Sequence, residues 1–357
     1  MALDTNNFLH GLIAEGYTHL CVVPCSFAKN LINSAINNTD IEYTPCASEA
    51  VACSIAAGLK MSGKKPIVII QSSGLTNMGS CITSLLKPYD VTFPILTSWR
   101  TYKEGDSEIQ HKHLATELPS LIQAYGYEHT ILDQENISIA ISQINRCDES
   151  FRIAILKKDT FREVTLLKEH QLNLSNYISR SEFLIKMNEM FKETNTLFIG
   201  TTGNTAREMY TFMPDTNNFY MAGNMGGALS LGLGAAMAGK KVVVCGGDAE
   251  FVMHMGGMTT AGRYDNIDLT YLLFDNESNK STGGQKTYQS HVDYINMAKS
   301  SGLDIMAPVI ESLSEFSTTL EDVTRSKGLK FLCVKCGVDD ETPRPPIDIV
   351  KVKEFNP

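Results

Sequence analysis

Short apolar runs alternate with amphipathic segments along the whole chain, as strands alternate with helices. The strand-like runs are residues 18–23, 66–71, 93–97, 153–156, 197–200, 242–245, 269–274 and 330–334. Uninterrupted apolar runs are typical of strands that are buried on both faces of a sheet. Parallel strands also need a long crossover connection, which the helix-like segments provide. The pattern therefore predicts an α/β fold with doubly wound parallel sheets.

A polar, irregular stretch divides this alternation into two halves. Residues 166–181 read LLKEHQLNLSNYISRS, and we interpret them as an interdomain linker whose last residue, Ser181, caps the next helix. We therefore predict a first domain at residues 1–165 and a second at 182–357. A chain of 357 residues is long enough for two hydrophobic cores of ordinary size.

Composition and charge exclude several classes of function. The chain is 43% hydrophobic and 20% charged, has no apolar run long enough to span a membrane, and starts with the polar sequence MALDTNN, so we expect a cytoplasmic protein. The formal net charge of −9 argues against a nucleic-acid partner. Most of the nine cysteines lie in apolar runs and should be reduced core thiols. This includes Cys333 and Cys336, for which we expect no metal or redox role.

Two neighbouring strand-like runs end on polar residues. The first is followed by GGDA at 246–249, which we predict to be a turn, and the second by Asp275 and Asn276. Because parallel strands have their carboxyl ends at the same edge of a sheet, Asp248 and Asn276 should lie close together. These two side chains and the backbone carbonyl of Ser278 offer oxygen ligands suited to Mg²⁺, which usually also binds phosphate oxygens and water. The sequence thus predicts a metal site for a diphosphate group.

This spacing resembles the signature of thiamine diphosphate enzymes, in which Gly-Asp-Gly is followed by Asn-Asn about 25 residues later. Ala249 replaces a glycine of that signature and Asp275 replaces its first asparagine, and neither change removes a coordinating oxygen. On this motif alone, an ordinary strand-turn-helix is the alternative. The resemblance implies that Asp248, Asn276 and Ser278 hold the metal, and that the second domain binds the diphosphate. The resemblance also implies that the second domain binds the cofactor through Thr202, Gly203, Gly247 and Ala249.

An alanine-rich helix is predicted to follow Ser48, with Glu49 in its first turn. A serine cap and an early glutamate are favourable at any helix start, so Glu49 could be a simple capping residue. Thiamine diphosphate enzymes, however, place a glutamate of their pyrimidine-binding domain at such a position. The resemblance therefore implies that the Glu49 carboxylate bonds to the pyrimidine ring, favours its imino tautomer and so promotes removal of the thiazolium proton.

Other motifs resemble those of phosphonopyruvate decarboxylases and the related sulfopyruvate decarboxylases. SSGLTN resembles their N-S-G-L-x-N, and SWRTYKEGDSEIQH their G-W-R-G followed by an acidic residue and Q-H. TTGNTARE, GNMGGALSLGLG and STGGQKT resemble TTG-x-x-x-RE, G-S-M-G-H-A-x-x-x-x-LG and STGGQ-x-T. The motifs follow the same order over both domains, and the chain is too short for the middle domain of many thiamine diphosphate decarboxylases. Two positions differ from the motifs of these decarboxylases. Cys25 stands in place of an aspartate, and Gly227 stands in place of a histidine.

The resemblance implies roles for further residues. The carbonyl of Gly223 would accept a hydrogen bond from the aminopyrimidine, and Met225 would support the bent cofactor, although core packing is the commoner role of a lone methionine. Ser73 and Asn77 would also lie at the cofactor, and Cys25 and His111 are additional catalytic candidates. The remote anion of the substrate would be held by Ser26, Arg100, His111, Lys112 and His113, with Lys29 and Lys280 as weaker candidates.

We therefore expect a thiamine diphosphate- and Mg²⁺-dependent enzyme that decarboxylates 3-phosphonopyruvate to phosphonoacetaldehyde and CO₂. The alternative substrates are sulfopyruvate and, after it, another small anionic 2-oxo acid. A further alternative is a different reaction, in which the enamine is transferred to a second carbonyl compound. Related enzymes complete their site across a subunit interface, which implies a homodimer or homotetramer. A nicotinamide oxidoreductase is disfavoured, because residues 223–239 lack a clean G-x-G-x-x-G directly after a strand. A non-catalytic subunit is disfavoured because Glu49, Asp248 and Asn276 occur in one chain.

Overall fold

Two compact units make up the chain in the computed structural model, which describes residues 2–102, 109–287, 289–339 and 341–343. The first unit comprises Met1–Gln171 together with Thr282–Lys286, and the second comprises Leu172–Ser281 together with Thr287–Pro357. Each unit contains a six-stranded sheet in which neighbouring strands pair in parallel. The predicted doubly wound α/β class is confirmed.

The strands of the first unit form a sheet in the order β2-β1-β3-β4-β6-β5. They are β1 (His19–Val22), β2 (Glu42–Pro45), β3 (Pro66–Gln71), β4 (Ile95–Ser98), β5 (Glu128–Ile131) and β6 (Arg152–Leu156). The four inner strands are almost wholly buried, as their apolar sequences predict, whereas the edge strands β2 and β5 are largely exposed. An exposed edge strand needs no apolar run, which is why the sequence pattern does not reveal these two.

Among the described residues of the first unit, one helix precedes the first strand and six others connect the strands. They are α1 (Thr5–Ala14), α2 (Lys29–Ile36), α3 (Glu49–Met61), α4 (Gly74–Asn77), α5 (Gly79–Cys81), α6 (Lys112–Ala124) and α7 (Ile137–Glu149), with short helical turns at Ser26–Ala28, Ile82–Leu86, Ile109–His111 and Lys168–His170. Apolar residues of α1, α2 and α7 form one core cluster with inward-facing residues of the sheet. This core fixes the strands whose carboxyl ends carry the predicted site residues.

The strands of the second unit form a sheet in the order β11-β12-β10-β9-β7-β8. They are β7 (Leu197–Gly200), β8 (Asn217–Tyr220), β9 (Lys241–Gly247), β10 (Asp268–Asp275), β11 (Asp304–Ile305) and β12 (Gly328–Lys335). The central strands β9 and β10 are adjacent and parallel, as the sequence predicts. The edge strands β8 and β11 are more exposed and have no apolar run in the sequence.

The helices of the second unit pack on its sheet around a core that is rich in aromatic side chains. They are α8 (Arg180–Phe191), α9 (Asn204–Phe212), α10 (Ala228–Met237), α11 (Asp248–Met253), α12 (Gly256–Ala261), α13 (Tyr294–Ser300) and α14 (Leu313–Arg325), with a short turn at Lys280–Thr282. Phe183 of α8 packs edge-to-face on Phe316 of α14, with ring centroids 5.0 Å apart. The tight packing of α8 and α14 supports one face of the sheet.

Two local predictions are wrong. Helix α8 begins at Arg180, so Ser179 rather than Ser181 is its N-cap. The helix starts early because Arg180 is buried and forms a two-bonded ion pair with the buried Glu208, at 2.7 and 2.9 Å. Residues 246–247 are not a turn, since β9 continues to Gly247 and α11 begins directly at Asp248.

The nine cysteines are all free, as predicted. Cys333 lies in β12 and Cys336 directly after it, and both are buried. The described helices include none whose length and apolar character would suit a membrane span.

Candidate functional site

Glu49 is the first residue of α3 and lies at the carboxyl edge of the first sheet. As predicted, Ser48 caps this helix, its hydroxyl accepting a hydrogen bond from the backbone N–H of Val51 at 3.4 Å. The Glu49 side chain is buried, and its Oε2 accepts a hydrogen bond from the side-chain nitrogen of Asn77 at 2.9 Å. A Cβ at Gly74 would lie only 2.4 Å from Glu49 Oε1, so glycine leaves the space for the carboxylate. The structure thus brings Glu49 and Asn77 together.

Arg100 follows β4 at the same edge and is buried. Its Nη1 donates a hydrogen bond to the hydroxyl of Ser26, which begins the helical turn after β1. The guanidinium group also lies over the ring of Phe27, 4.5 Å from the centroid. A guanidinium group held by an aromatic face and a hydroxyl is oriented in one direction, as recognition of a phosphonate or carboxylate group requires.

His111 is also buried and precedes α6. The side-chain nitrogen of Gln71, the last residue of β3, donates a hydrogen bond to His111 Nε2 at 2.9 Å. The next two candidates, Lys112 and His113, are exposed in the first turn of α6, so the structure does not place them with His111. Residues 103–108 of this motif lie outside the described residues.

Asp248 and Asn276 follow the neighbouring strands β9 and β10 in the second unit. Both side chains are buried. The Oδ2 atom of Asp248 accepts a hydrogen bond from the hydroxyl of Thr287 at 2.7 Å, and Oδ1 of Asn276 accepts one from the backbone N–H of Ser278 at 3.0 Å. The structure therefore places two of the predicted metal ligands at one sheet edge.

Burial raises the pKa of Asp248 to about 6, because desolvation penalises the charged carboxylate. The hydrogen bond from Thr287 opposes this shift, and the nearby Asp275 carboxylate adds to it. Asp275 itself accepts a hydrogen bond from Lys335 at 2.9 Å. A cation beside the Asp248 carboxylate would therefore favour its charged form, whereas Asp275 already has a cationic partner.

Two irregular segments border this edge. The turn after β7 ends at Gly203, which has φ of 90° and precedes α9, so glycine is favoured there. The hydroxyl of Thr202 donates a hydrogen bond to the carbonyl of Ala222 at 3.0 Å, which links this turn to the loop after β8. That loop carries the predicted residues Gly223 and Met225, both half-buried.

Comparison with known protein families assigns the segment that contains Asp248 and Asn276 and the segment that contains Glu49 to one family. Residues 199–334 match the C-terminal TPP-binding domain of thiamine pyrophosphate enzymes, and residues 5–117 match the N-terminal TPP-binding domain. The chain belongs to the thiamine pyrophosphate enzymes. Thiamine pyrophosphate and thiamine diphosphate are the same molecule, so the resemblance found in the sequence is confirmed. The matched C-terminal domain also contains residues 223–239, which removes the support for a nicotinamide-binding loop.

Three curated relatives of the chain are named decarboxylases of two kinds. A phosphonopyruvate decarboxylase of Streptomyces viridochromogenes is 28% identical and aligns over 96% of this chain and 91% of its own length. One from Streptomyces hygroscopicus is 28% identical over 91% of this chain and 86% of its own length. A sulfopyruvate decarboxylase of Methanosarcina acetivorans is 26% identical over 84% of each chain.

Cys25, which replaces the aspartate of the family motif, lies within the hydrophobic core of the first unit. Its side chain is fully buried among apolar residues, including Ala28. This environment favours packing over the predicted catalytic role. Lys29 and Lys280, the weaker substrate candidates, are half-buried.

Three polar residues near the predicted sites were not identified from the sequence. Gln71 bonds to His111, Thr287 bonds to Asp248, and the buried Glu250 accepts a hydrogen bond from Tyr271 at 2.6 Å. Gln71 carries a signal, as a polar residue that ends an apolar run, and Thr287 is the last residue of the STGGQKT motif. Burial raises the pKa of Glu250 to about 7, against the lowering effect of its hydrogen bonds.

Proposed function

We propose that this thiamine pyrophosphate enzyme decarboxylates 3-phosphonopyruvate to phosphonoacetaldehyde and CO₂ in the presence of Mg²⁺. The observation that carries the proposal is the buried Glu49 at the start of α3, bonded to Asn77, within a chain that matches both TPP-binding domains. The substrate follows from the two relatives named phosphonopyruvate decarboxylase, which align over nearly the whole chain.

The described residues fit a diphosphate group and a magnesium ion. The hydroxyl of Thr201, at the end of β7, is buried and has no hydrogen-bond partner among the residues described. A Cβ built on Gly247 would meet nothing within 4 Å, so this helix start has open space beside it. An unsatisfied hydroxyl and bare backbone at helix starts suit an anionic phosphate oxygen.

The metal would be held by oxygen atoms of different kinds. Residues 2–102, 109–287, 289–339 and 341–343 contain no cluster of three or more histidine, cysteine, aspartate or glutamate side chains that could bind a metal ion. Asp248, Asn276 and the carbonyl of Ser278 would therefore supply the protein ligands, and phosphate oxygens and water the others. This set is suited to Mg²⁺ rather than to Zn²⁺.

The bound cofactor supplies a nucleophilic ring carbon and a positively charged ring that accepts the electrons released when CO₂ leaves. The protein residues hold the cofactor and the substrate in position and exchange a proton with the pyrimidine ring. Glu49 would share a proton with the pyrimidine ring nitrogen, and Asn77 holds the carboxylate in place for it. Ser73, Gly223 and Met225 would complete the protein contacts of the pyrimidine.

Arg100 would bind the phosphonate group of the substrate. The guanidinium fork matches the geometry of phosphonate oxygens, and Ser26 and Phe27 fix its direction. His111, oriented by Gln71, would bind the other polar end of the substrate or move a proton there. Lys112 and His113 are exposed and are weaker candidates for binding the substrate anion.

A sulfonate group also fits a guanidinium fork, so sulfopyruvate is the second candidate substrate. The sulfopyruvate decarboxylase of Methanosarcina acetivorans supports it. A phosphonate can carry one more negative charge than a sulfonate, which should make phosphonopyruvate the better substrate at a buried arginine.

CO₂ release from phosphonopyruvate, sulfopyruvate and pyruvate, each with thiamine diphosphate and Mg²⁺, tests this proposal. We expect kcat/KM for phosphonopyruvate to exceed the other two values at least tenfold. A preference for sulfopyruvate would support the second candidate. Preference for pyruvate would contradict the role of Arg100 in binding a second anionic group. Release from none of the three would contradict the proposed substrate class and leave the fold assignment untouched.

We further expect a homodimer or homotetramer. Glu49 belongs to the first unit and Asp248 to the second, and the family resemblance implies that different subunits contribute them to one site. Sedimentation should give two or four times the chain mass of 39.3 kDa. Mixing the inactive variants Glu49→Gln and Asp248→Asn should then restore part of the activity, because one site of a mixed dimer keeps both residues. A fully active monomer would contradict this expectation.

A further inference from the structure

Lys335 is a buried cation at the sheet edge that carries the predicted metal ligands. It is the last residue of β12 and pairs in register with Asp275, the last residue of β10. Its amine donates hydrogen bonds to Oδ2 of Asp275 at 2.9 Å and to Oε1 of Glu277. Lysine and aspartate are almost never as buried as Lys335 and Asp275 unless their charges are paired, and here two carboxylates pair with one amine.

The two carboxylates flank the predicted metal ligand Asn276. Asp275 precedes it, and Glu277 lies between it and Ser278, whose backbone carbonyl is the third predicted ligand. Within residues 275–278, which we call the metal turn, Oδ1 of Asp275 accepts a hydrogen bond from the N–H of Glu277 at 3.2 Å, and Oδ1 of Asn276 accepts one from the N–H of Ser278 at 3.0 Å. These bonds are local, whereas the bonds from Lys335 connect the metal turn to β12.

The backbone of Glu277 needs outside support. Its φ of 52° lies in the left-handed region, which few residues other than glycine adopt. Such a conformation persists only where the surrounding structure holds it. Lys335 binds the Glu277 side chain, and the Glu277 carbonyl accepts a hydrogen bond from the N–H of Thr287 at 2.9 Å. Because Ser278 is the next residue, the direction of its carbonyl depends on this conformation.

The pair also accounts for a departure from the family signature. Asp275 stands where thiamine diphosphate enzymes have a neutral asparagine, and Lys335 supplies the partner that a buried aspartate requires. The same two strands contain a second pair of this kind, because Lys330 of β12 donates a hydrogen bond to Asp268, the first residue of β10, at 2.6 Å. That pair lies at the opposite end of β10 and serves as a comparison.

We infer that Lys335 is a positioning residue of the metal turn. It holds Asp275 and Glu277 so that the Asn276 amide oxygen and the Ser278 carbonyl are in place before the cation binds. The inference rests on the proposed function, because it assumes that Mg²⁺ and the diphosphate bind at Asp248 and the metal turn. Groups that hold metal ligands in place commonly contribute a factor of about 10–100 to metal affinity.

The charge of Lys335 alone would have the opposite effect. An ammonium group repels Mg²⁺, and without it the two remaining carboxylates would attract the metal more strongly. A purely electrostatic role therefore predicts tighter metal binding in Lys335→Met, whereas a positioning role predicts weaker binding. The direction of the change in Kd distinguishes the two roles.

Calorimetric titration of Mg²⁺ at saturating thiamine diphosphate measures this direction. Lys335→Met should raise the Kd of Mg²⁺ at least tenfold. Lys330→Met is the matched control, since it also leaves a buried aspartate of β10 without its lysine, and it should lower the Tm but keep the Kd within threefold of wild type. An unchanged or lower Kd in Lys335→Met, or an equal rise in Lys330→Met, would overturn the inference.

Hydrogen exchange on the cofactor-free protein tests the positioning without any ligand. The amides of Glu277 and Ser278 should exchange at least tenfold faster in Lys335→Met, because the metal turn has lost its connection to β12. They should exchange as in the wild type in Lys330→Met. Wild-type exchange of both amides in Lys335→Met would overturn the inference, whatever reaction the protein catalyses.

Two further outcomes are separable. If Lys335→Met does not fold, the double variant Lys335→Met/Asp275→Asn replaces it, since it keeps the net charge and leaves no buried carboxylate unpaired at position 275. Its Kd for Mg²⁺ and the exchange of the Ser278 amide should each rise at least threefold, and wild-type values would overturn the inference. If the wild-type protein binds no thiamine diphosphate while Lys335→Met still loosens the metal turn, the proposed function fails and the positioning role stands.

Discussion

Replacement of Glu49 by glutamine should lower kcat by about 10²–10⁴-fold, the usual contribution of a general acid–base group. Glutamine has almost the same shape and can still accept a hydrogen bond from Asn77, so α3 and the local packing should be preserved. It cannot share a proton with the pyrimidine ring nitrogen. The affinity for thiamine diphosphate should therefore stay within about threefold of the wild type, because one neutral hydrogen bond contributes little to binding.

The measurement combines single-turnover kinetics with calorimetric titration of the cofactor. Glu42→Gln is the matched control, because Glu42 is an exposed glutamate on β2 of the same unit and its replacement should change neither quantity. Wild-type turnover in Glu49→Gln would remove Glu49 from the mechanism. An equal loss in Glu42→Gln would show that the effect comes from charge in general.

Replacement of Asp248 by asparagine should weaken Mg²⁺-dependent retention of thiamine diphosphate by on the order of 100-fold or more. Removing even an outer partner of a metal ligand commonly costs 10–100-fold in affinity, and a direct ligand should cost at least as much. The amide oxygen of asparagine can still accept the hydrogen bond from Thr287, so the fold should be kept. Equilibrium dialysis with and without Mg²⁺ measures the effect.

The same variant should be more stable than the wild type when metal and cofactor are absent. Burial raises the pKa of Asp248 to about 6 in the folded protein. The folded state therefore binds the proton more tightly than the unfolded state, and this stabilisation is present at low pH and is lost as pH rises through about 6. Asp248→Asn should raise the Tm of the metal-free protein at pH 7.5 and change it little near pH 4.

Asp265→Asn is the control for both measurements, because Asp265 is exposed in the same unit. It should leave cofactor retention and the pH dependence of Tm unchanged. Retention of the cofactor by Asp248→Asn at wild-type affinity would refute the metal assignment, even if the Tm behaves as expected.

The inner part of each sheet could be predicted from the sequence because its strands are buried on both faces. The run 66–71 is apolar up to its last residue, and the run 269–274 is apolar except for Thr270, so both indicate buried strands. The edge strands β2, β5, β8 and β11 were not found, since their exposed residues carry no comparable pattern. The start of α8 was misplaced because the pairing of Arg180 with Glu208 depends on residues far apart in the chain.

Candidate site residues were found where chemistry and local structure coincide. Glu49 follows a capping serine, and Asp248 follows an apolar strand, so both carry local signals. Gln71 gave a weaker signal, and Glu250 gave none that separates it from an ordinary helical glutamate. Glu250 is buried beside Tyr271 of β10, in space that is open because Gly246 has no side chain. Only the folded chain brings these three residues together.

The loop around Gly227 shows what a side chain at this position would meet. A Cβ there would lie 2.2 Å from the side-chain nitrogen of Asn224, so a histidine would require the exposed Asn224 side chain to move. Asn224 itself has φ of 61°, a conformation that asparagine tolerates better than most residues.

Anomalous diffraction from crystals grown with thiamine diphosphate and Mn²⁺ would test the central claim most directly. We expect one manganese peak bonded to the Asp248 carboxylate, the Asn276 amide oxygen and the Ser278 carbonyl, in the place of Mg²⁺. We also expect a pyrimidine nitrogen within hydrogen-bonding distance of a Glu49 carboxylate, from the same subunit or a partner. A metal bound elsewhere, for example at Asp275 and Glu277, or a pyrimidine ring without Glu49 beside it, would contradict the account.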